Sequence, residues 1–312
     1  MFVAVTLNPA LDKIITAEGF SVGETLSAQS VRRIAGGKGI NVARVINLLG
    51  GEVTATGFLG GPTGEFMEKE LREEGLKTNF VGIKETTRSN TTVLDPVSGT
   101  ETHLREPGPQ ISKKETDNFK KIFRKLIKKS RFLILSGSLP PGLRDNFYAE
   151  LITEARDEEV KTILDTRGKA LLKGIKACPF MIKPNRQEWE EIVGKRLNSR
   201  KSLIESIKPL LRQGIEIAII SLGKEGAIIA GRQTIWQAFP PRIKAVNSVG
   251  CGDALVAGFI YSLSRGDKME RAIRLGVAAA AANTLIPGAG FLRKKDIKKL
   301  YPKVRIKKYF PL

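Results

Sequence analysis

Residues 247–254 are the part of this sequence best suited to carrying out a reaction. Gly250 and Gly252 flank Cys251, Asp253 follows at once, and the apolar residues after it predict a helix. Glycines let successive backbone N–H groups converge at a helix start, where the aligned peptide dipoles favour negative charge. A carboxylate beside such an anion site suggests phosphoryl transfer, in which amides stabilise the moving phosphate and Asp253 accepts a proton from the attacking hydroxyl. Ordinary helix capping uses the same residue types, so this segment alone leaves both interpretations open.

A second glycine cluster, at residues 35–43, also opens a predicted helix, because apolar residues recur at helical spacing up to Gly50. Lys38 and Asn41 would lie in its first turn, the lysine as a mobile cation and the asparagine as a bidentate polar group. The cluster is not a P-loop, since Lys38 is followed by glycine and the glycine spacing differs. Three glycines around one lysine favour an anion site over a solvated turn.

Seven ordered motifs run from end to end of the chain, and together they resemble the ribokinase (PfkB) superfamily of sugar kinases. The resemblance is to its branch of 1-phosphofructokinases and tagatose-6-phosphate kinases. The motifs occupy residues 6–12, 36–41, 87–90, 136–142, 183–188, 221–226 and 250–253. The family turn usually reads Gly-Ala-Gly-Asp, whereas this chain has Cys251 in place of the alanine. A thiolate is favoured at a helix start, so Cys251 is either a plain replacement for alanine or a site where oxidation blocks the phosphate.

The resemblance implies a substrate site in loops at strand ends, where open α/β sheets expose ligand contacts. Asp12 would accept hydrogen bonds from two sugar hydroxyls, with a structural cap as the alternative. Arg88 and Asn90 would lie near the substrate phosphate, helped by Lys38, because a guanidinium can bind phosphate through two donors. The remaining substrate-site candidates are Gly37, Asn41, Arg105 and Ser138. Arg105 could equally form a surface ion pair, and Ser138 could equally belong to a rigid Pro/Gly turn.

On the nucleotide side, the resemblance implies ATP as phosphoryl donor and Mg²⁺ as its ion, with K⁺ as a further candidate. In the family, residues matching Asn185 and Glu188 act on the metal and phosphates largely through water, which suits an ion that keeps several waters. Asn283 would line either the base pocket or a monovalent-cation loop. Gly223 and Gly226 carry no side chain, so their bare backbone would leave room for the nucleotide. The other residues assigned to ATP are Lys183, Ser221, Gly223 and Gly226.

These roles imply ATP-dependent phosphorylation of a ketohexose phosphate by in-line transfer, with Asp253 as the base and the amides of residues 250–253 stabilising charge. Fructose 1-phosphate is the favoured substrate, which makes fructose 1,6-bisphosphate the product. Tagatose 6-phosphate and fructose 6-phosphate are alternatives, because sugar stereochemistry is read by geometry. A different class of interpretation is a non-catalytic homologue that binds a polyanion through the net charge of +20. The presence of Asp253, Lys38 and Arg88 weighs against it.

The positive charge is concentrated in residues 113–129, 169–176, 195–208 and 293–308, which are predicted to form amphipathic helices with solvated basic faces. Aromatic residues do not alternate with these charges as in RNA-binding surfaces, so we expect no nucleic-acid partner. No run reaches the roughly 18 apolar residues of a membrane span. The chain starts on a strand-like run without a basic leader, so we expect a cytoplasmic protein. Two separated cysteines and one histidine predict neither a disulfide framework nor a metal cluster.

Apolar strand-like runs alternate with amphipathic helices, which predicts a mainly parallel sheet covered on both faces. With the resemblance, this is a ribokinase-like three-layer α/β/α domain spanning residues 1–312. Predicted strands are 2–7, 53–58, 79–82, 132–136, 160–164, 179–182 and 216–220, followed by a hairpin of 227–230 and 234–238. Predicted helices are 39–49, 63–74, 112–129, 144–157, 185–193, 199–213, 251–265 and 268–285.

Two segments, at about residues 13–34 and 87–106, interrupt this alternation. Their short runs, 13–16 and 25–33 in the first and 91–94 and 100–105 in the second, predict a small projecting β-sheet. In the resembled family such a sheet is the lid over the sugar and also the contact of a dimer. We therefore expect a lid from these segments and a homodimer formed through it.

Overall fold

A computed structural model describes residues 1–309 of the chain. The strands are β1 Phe2–Thr6, β2 Ala10–Thr16, β3 Ser30–Gly36, β4 Val53–Gly60, β5 Lys77–Thr78, β6 Val81–Ile83, β7 Ser89–Asp95, β8 Thr100–Arg105, β9 Phe132–Ser136, β10 Lys161–Asp165, β11 Met181–Ile182, β12 Ile217–Ser221, β13 Ala227–Gly231, β14 Ile235–Phe239 and β15 Arg305–Tyr309. The helices are α1 Lys38–Leu49, α2 Gly61–Glu73, α3 Lys113–Ile127, α4 Phe147–Asp157, α5 Gly168–Lys176, α6 Arg186–Val193, α7 Arg200–Arg212, α8 Cys251–Ser264, α9 Met269–Asn283 and α10 Lys294–Leu300.

Eleven strands of residues 1–309 form the large sheet, in the order β15-β14-β13-β12-β11-β10-β9-β1-β4-β5, with β6 also paired to β4. The strands from β12 to β5 pair in parallel, whereas β13, β14 and β15 add in antiparallel fashion. All five residues of β1 are buried, as expected for a central parallel strand covered on both faces. Phe2 and Ala4 pack into one core with α1, α2, α8, α9 and α10. Val3 and Val5 pack into the other with α3, α4, α5, α6 and α7. The predicted three-layer α/β/α architecture is therefore confirmed.

Each predicted strand and helix of the α/β alternation has a counterpart within a few residues, but the basic segment at residues 293–308 is not one helix. Helix α10 ends at Leu300, and a 3-10 turn at Tyr301–Lys303 contains Pro302. Proline has no N–H to continue a helix. The chain then becomes β15, which pairs antiparallel with β14, Ile306 opposite Ala238. The prediction of a helix through residue 308 was wrong, because the alternating pattern of a half-exposed edge strand was read as a helical face.

The small sheet has the order β3-β2-β7-β8 and is built from the two predicted segments. Strand β2 begins at Ala10, earlier than predicted, and β3 begins only at Ser30. The register places Asn90 beside both Asp12 and Arg105, so three predicted substrate residues share one face of this sheet. No helix within residues 1–309 combines the length and apolar character needed to cross a bilayer.

Candidate active site

The predicted motifs meet where the carboxyl ends of the parallel strands lie side by side in the large sheet. Strand β1 lies between β4 and β9, where successive β-α units begin to add on opposite sides. Ligands of open α/β sheets bind at such a reversal of strand order. Asp165 ends β10, Lys183 follows β11 directly, and Ser221 ends β12.

The glycine cluster of residues 36–39 allows α1 to begin against the end of β1. Gly37, at the helix start, has a φ of 134°, and a Cβ there would lie 2.6 Å from Cγ2 of Thr6. The Thr6 hydroxyl accepts a hydrogen bond from the backbone N–H of Ile40 at 2.9 Å. The predicted helix start is confirmed, and it directs Lys38 and Asn41 toward the strand ends.

Helix α8 starts at the second glycine turn. Gly250 precedes it with a φ of 81°, and a Cβ there would lie 2.8 Å from Cβ of Ala289. No side chain of residues 1–309 caps this helix start, so its first N–H groups can receive an anion. Gly252 lies beside Lys183, whose Nζ would be 3.1 Å from a Cβ at that position. The turn and the ammonium group of Lys183 therefore border the same space.

Asp253, in the first turn of α8, is only 5% exposed. Nδ2 of Asn41 donates a hydrogen bond to its Oδ2 at 2.8 Å. Burial, followed by the negative charge of Asp165, raises the pKa of Asp253 to about 6, and this outweighs the opposing effects of Lys38, Asn41 and Lys183. A carboxylate with a pKa near the working pH can both accept and release a proton, which suits a general base.

Asp165 is the site residue that the sequence motifs did not reveal. It is fully buried, and its two oxygens contact two lysines: Oδ1 accepts from Nζ of Lys38 at 2.9 Å, and Oδ2 lies 3.2 Å from Nζ of Lys183. Burial alone would raise the pKa of Asp165, but the two ammonium groups outweigh it and hold the pKa below its usual value. The Asp165 carboxylate, in turn, is the main reason that the pKa of Lys38 is raised. The sequence signal that could have identified Asp165 is its position directly after the predicted strand 160–164.

Asp12 and Asn90 form the sugar side of the site. Nδ2 of Asn90 donates to Oδ1 of Asp12 at 3.0 Å, whereas the buried Oδ1 of Asn90 has no hydrogen-bond partner among the described residues. Burial raises the pKa of Asp12, opposed by the Asn90 hydrogen bond and by Arg88, Arg44 and Arg105. A carboxylate beside an unpaired amide oxygen offers two adjacent acceptors for sugar hydroxyls.

Arg88 lies where the two sheets join, and part of its guanidinium is already engaged. It donates to the backbone carbonyls of Asn8 at 2.9 Å and Glu106 at 2.8 Å, with a longer contact of 3.4 Å to Pro9. A guanidinium has five N–H groups, so these carbonyls do not use all of them. Ser138 receives a hydrogen bond on Oγ from Nδ2 of Asn8 at 3.3 Å, which places its loop beside the same junction.

The nucleotide-side residues gather at the start of α6 and the end of β12. Asn185 and Glu188 form a reciprocal capping box: Oδ1 of Asn185 accepts from the Glu188 N–H at 2.8 Å, and Oε2 of Glu188 accepts from the Asn185 N–H at 2.9 Å. Asn185 also forms a parallel bridge with Ser221. The Glu188 carboxylate contributes to the raised pKa of Lys38, so this helix start lies within electrostatic reach of the site.

Three assignments have a different physical basis from the one expected. A Cβ at Gly226 would lie 1.9 Å from the Ala238 carbonyl oxygen, so this glycine serves packing against β14, whereas a Cβ at Gly223 would meet open space. Asn283 is fully buried, donates to the Val249 carbonyl at 2.8 Å and accepts from the Gly290 N–H at 2.9 Å, so its amide joins the turn before α8 to the loop that follows α9. Burial raises the pKa of the Cys251 thiol, contrary to the thiolate expected from its helix position.

The pfkB family carbohydrate kinase model matches residues 5–295. The chain belongs to this family. A 1-phosphofructokinase from Borreliella burgdorferi is 37% identical to this kinase over 307 residues, 98% of each chain. A tagatose-6-phosphate kinase from Staphylococcus epidermidis is 32% identical over 311 residues, covering 98% of this chain and 99% of its own.

Solved structures of Escherichia coli phosphofructokinase-2 have the same fold as this kinase. The complex with potassium superposes with a TM-score of 0.90 at 29% identity, over 97% of this chain and 98% of that one. Another structure of the same enzyme is its tetrameric inhibited form, with a TM-score of 0.89. The chain is therefore a hexose-phosphate kinase of the pfkB family, and a phosphotransferase that uses ATP.

Proposed function

We propose that this kinase transfers the γ-phosphoryl group of MgATP to fructose 1-phosphate, giving fructose 1,6-bisphosphate and ADP. The mechanism rests on one observation: Asp253 is buried beside an uncapped helix start, and its pKa is raised to about 6. The substrate choice is supported by the 1-phosphofructokinase of Borreliella burgdorferi, which is more similar to the chain than the tagatose-6-phosphate kinase is.

The sugar binds between the small sheet and the large one in this proposal. Asp12 and Asn90 accept hydroxyl hydrogens, since they present adjacent acceptor oxygens on one face of the small sheet. The substrate phosphate is bound by the remaining donors of Arg88, with Arg105 alongside. The backbone at Gly37 and the side chains of Asn41 and Ser138 complete the sugar site.

Proton transfer and phosphoryl transfer occur at the α8 start. The sugar O–H bond breaks as its proton passes to the Asp253 carboxylate, and the freed oxygen forms a bond to the γ-phosphorus while the bond to the ADP oxygen breaks. The N–H groups of residues 250–253 stabilise the charge that develops on the transferring group. Lys38, whose side chain is 38% exposed, turns its ammonium group from Asp165 toward the phosphate in this proposal.

MgATP lies across the ends of β11 and β12. Within residues 1–309 there is no cluster of three or more His, Cys, Asp or Glu side chains that could hold a metal. Asn185 and Glu188 would hold the magnesium ion through its water shell, since this ion keeps several waters, and the ion would offset the negative charge of the phosphates. Lys183, Ser221 and the open backbone at Gly223 contact the nucleotide.

A group of carbonyl oxygens beside α8 has the chemistry of a K⁺ site. The carbonyls of Val249, Ile286 and Gly288 lie 3.4, 3.5 and 3.2 Å from Nδ2 of Asn247, which now donates to them. Converging carbonyl oxygens are the ligands that replace the hydration shell of K⁺. We propose that K⁺ binding here adds positive charge near the α8 start. Equal kcat in potassium and tetramethylammonium chloride at the same ionic strength would refute this.

Two copies of the chain associate through the small sheet in this proposal, and the enzyme acts in the cytoplasm as one domain of residues 1–312. Val31 and Leu104, 47% and 62% exposed, lie on the face opposite Asp12. Ile15, opposite Val31 on β2, extends this apolar face, and a contiguous apolar patch indicates an interface. Sedimentation should give a dimer for the native chain and a monomer for Leu104→Lys, and a monomeric native chain would contradict the proposal.

The decisive experiment compares kcat/KM for ATP consumption with fructose 1-phosphate, fructose 6-phosphate and tagatose 6-phosphate, with Asp253→Asn alongside. We expect the highest value with fructose 1-phosphate and a loss of about 10³-fold or more in the variant. A preference for another ketose phosphate would change the substrate assignment and leave the proposed mechanism unchanged. An active Asp253→Asn variant would remove Asp253 from the role of base.

A further inference from the structure

Arg44 carries a positive charge into the protein interior, one helical turn after Asn41. Its side chain is only 5% exposed. Nε and Nη2 donate to the two carboxylate oxygens of Glu74 at 2.6 and 2.9 Å, and the guanidinium lies over the Phe291 ring at 4.7 Å. A buried charge requires partners, and this bidentate pair fixes the plane of the guanidinium.

The third contact of Arg44 points toward the active site. Nη1 donates to Oδ1 of Asn41 at 3.4 Å, while Nδ2 of the same amide donates to Oδ2 of Asp253 at 2.8 Å. Glu74, Arg44, Asn41 and Asp253 thus form a continuous series of polar contacts from the end of α2 to the start of α8.

A guanidinium only donates hydrogen bonds, whereas an amide donates at one end and accepts at the other. The oxygen end of Asn41 must therefore face Arg44, and the NH₂ end is left for Asp253. The reversed amide would set its NH₂ against the guanidinium N–H groups. It would also place an amide oxygen beside the carboxylate, an arrangement that is favourable only when the carboxyl group is protonated.

We propose that Arg44, held by Glu74, is a positioning residue that fixes the amide orientation of Asn41 and so keeps the Asp253 carboxylate ready to accept a proton. This rests on the proposed function, in which Asp253 is the base. Arg44 itself contacts neither substrate nor nucleotide in this proposal, because it acts through Asn41.

The charges around Asp253 show why the orientation of the Asn41 amide affects the pKa of this carboxyl group. Asp165 at the end of β10 opposes ionisation of Asp253, as burial does, while Lys38 on α1 and Lys183 after β11 favour it. The thiol of Cys251, on the same helix, is neutral because its pKa is raised. With burial and the Asp165 charge only partly offset, the pKa of Asp253 is already about 6, so loss of the Asn41 N–H donor would raise it further into the working range.

The test is the pH dependence of kcat/KM for fructose 1-phosphate in the native enzyme, Arg44→Met, Arg44→Lys and Glu74→Gln. We expect Arg44→Met to move the acid limb upward by about one pH unit, which lowers kcat/KM about fivefold at pH 6, close to tenfold at pH 5 and hardly at all at pH 8.5. Arg44→Lys keeps the charge but lacks the planar fork, so it should shift the limb less. Glu74→Gln should shift it in the same direction.

Arg72→Met is the matched control. Arg72 lies on the surface of α2, close in sequence to Glu74, and pairs with Glu68 at 2.7 Å, but that pair is exposed and has no contact with Asn41. Its pH profile should equal that of the native enzyme. In an Asn41→Ala background, Arg44→Met should produce no further shift, because groups that act through one another are not additive.

Different results separate the possible failures. An acid limb that stays in place in Arg44→Lys and Glu74→Gln, with kcat/KM lowered equally at all pH values, would overturn the positioning role. The same conclusion follows if Arg44→Met shifts the limb equally with and without Asn41. Activity retained in Asp253→Asn would instead refute the base assignment itself. If Arg44→Met does not fold, as thermal unfolding will show, Glu74→Gln decides, because Glu74 is at the protein surface.

Discussion

At the scale of single residues, the chemistry of Asp253 conflicts with its burial. The folded protein raises the pKa of this carboxyl from 3.8 to about 6, so at neutral pH the native state holds a buried charge that the unfolded chain would hold in water. Between these two values the native state binds a proton that the unfolded state has released. Stability contributed by Asp253 therefore falls as pH rises through this window and stays low above it.

Asp253→Asn should consequently stabilise the fold while abolishing activity. We expect an increase of about 3 kcal/mol in the free energy of unfolding at pH 8, and less than about 1 kcal/mol at pH 4. Urea unfolding at both pH values measures it. Asp267→Asn is the control of opposite sign, because a hydrogen bond from Ser262 lowers the pKa of Asp267, so its neutralisation should not stabilise. A less stable Asp253→Asn protein at pH 8 would contradict the argument.

The sequence predicted candidate site residues that belong to glycine turns or to the family's motifs, and it missed residues whose importance depends only on their neighbours in three dimensions. Asp253, Lys38 and Asn41 were found because glycine turns mark helix starts. Asp165 and Arg44 were missed, because their importance comes from contacts with residues distant in sequence, 127 positions in the case of Asp165 and Lys38 and 30 in that of Arg44 and Glu74.

At the scale of elements, the position of the α8 start depends on Gly250. Its positive φ disfavours any L side chain, and a Cβ would also collide with the backbone of Ala289 at 2.9 Å and the Gly290 nitrogen at 3.0 Å. Because the Asp253 carboxylate and the anion-binding amides belong to this first turn, a shift of the helix start displaces all of them together.

Gly250→Ala should therefore lose both stability and catalysis. Gly266→Ala is the matched control: its φ is 79°, nearly the same as at Gly250, but nothing lies within 4 Å of the added Cβ. We expect each variant to lose about 1 kcal/mol of stability from backbone strain, with a further loss and a fall in kcat for Gly250→Ala alone. Thermal unfolding and kcat measured on both separate strain from displacement. Equal kcat values would show that the α8 start tolerates the shift.

Elements were predictable where periodicity was long and unambiguous. The strands of the parallel sheet are short apolar runs, and α8 is apolar on nearly all sides, so their types were clear from the sequence. The segment after α10 was misread because Arg305–Tyr309 becomes a strand only through pairing with β14, a partner more than sixty residues earlier. Pairing between distant segments has no signal in the local pattern.

At the scale of the whole molecule, the large sheet is open and therefore ends in two edges. Within residues 1–309, one edge consists of β5 and β6, which are two and three residues long, and the other is β15, where Arg305 and Lys307 are exposed. The backbone groups of an edge strand can pair with another chain, and natural proteins prevent this with short edge strands and with charge.

Replacing Arg305 and Lys307 with threonine should leave kcat unchanged but make concentrated protein associate, since threonine favours strands and carries no charge. Static light scattering across a concentration series measures this. Lys294→Gln with Lys295→Gln on α10 removes the same charge away from the edge and should scatter like the native protein. Equal association in both double variants would point to net charge instead of the strand.

The strand order of the large sheet thus gives part of the net charge of +20 a purpose that involves no binding partner. A sheet that ended in an uncharged β15 would offer the same backbone template to every other copy of the chain. Like charges along that strand make each copy repel the next, so we expect the basic strand β15 to protect the folded enzyme against edge-to-edge aggregation in a crowded solution.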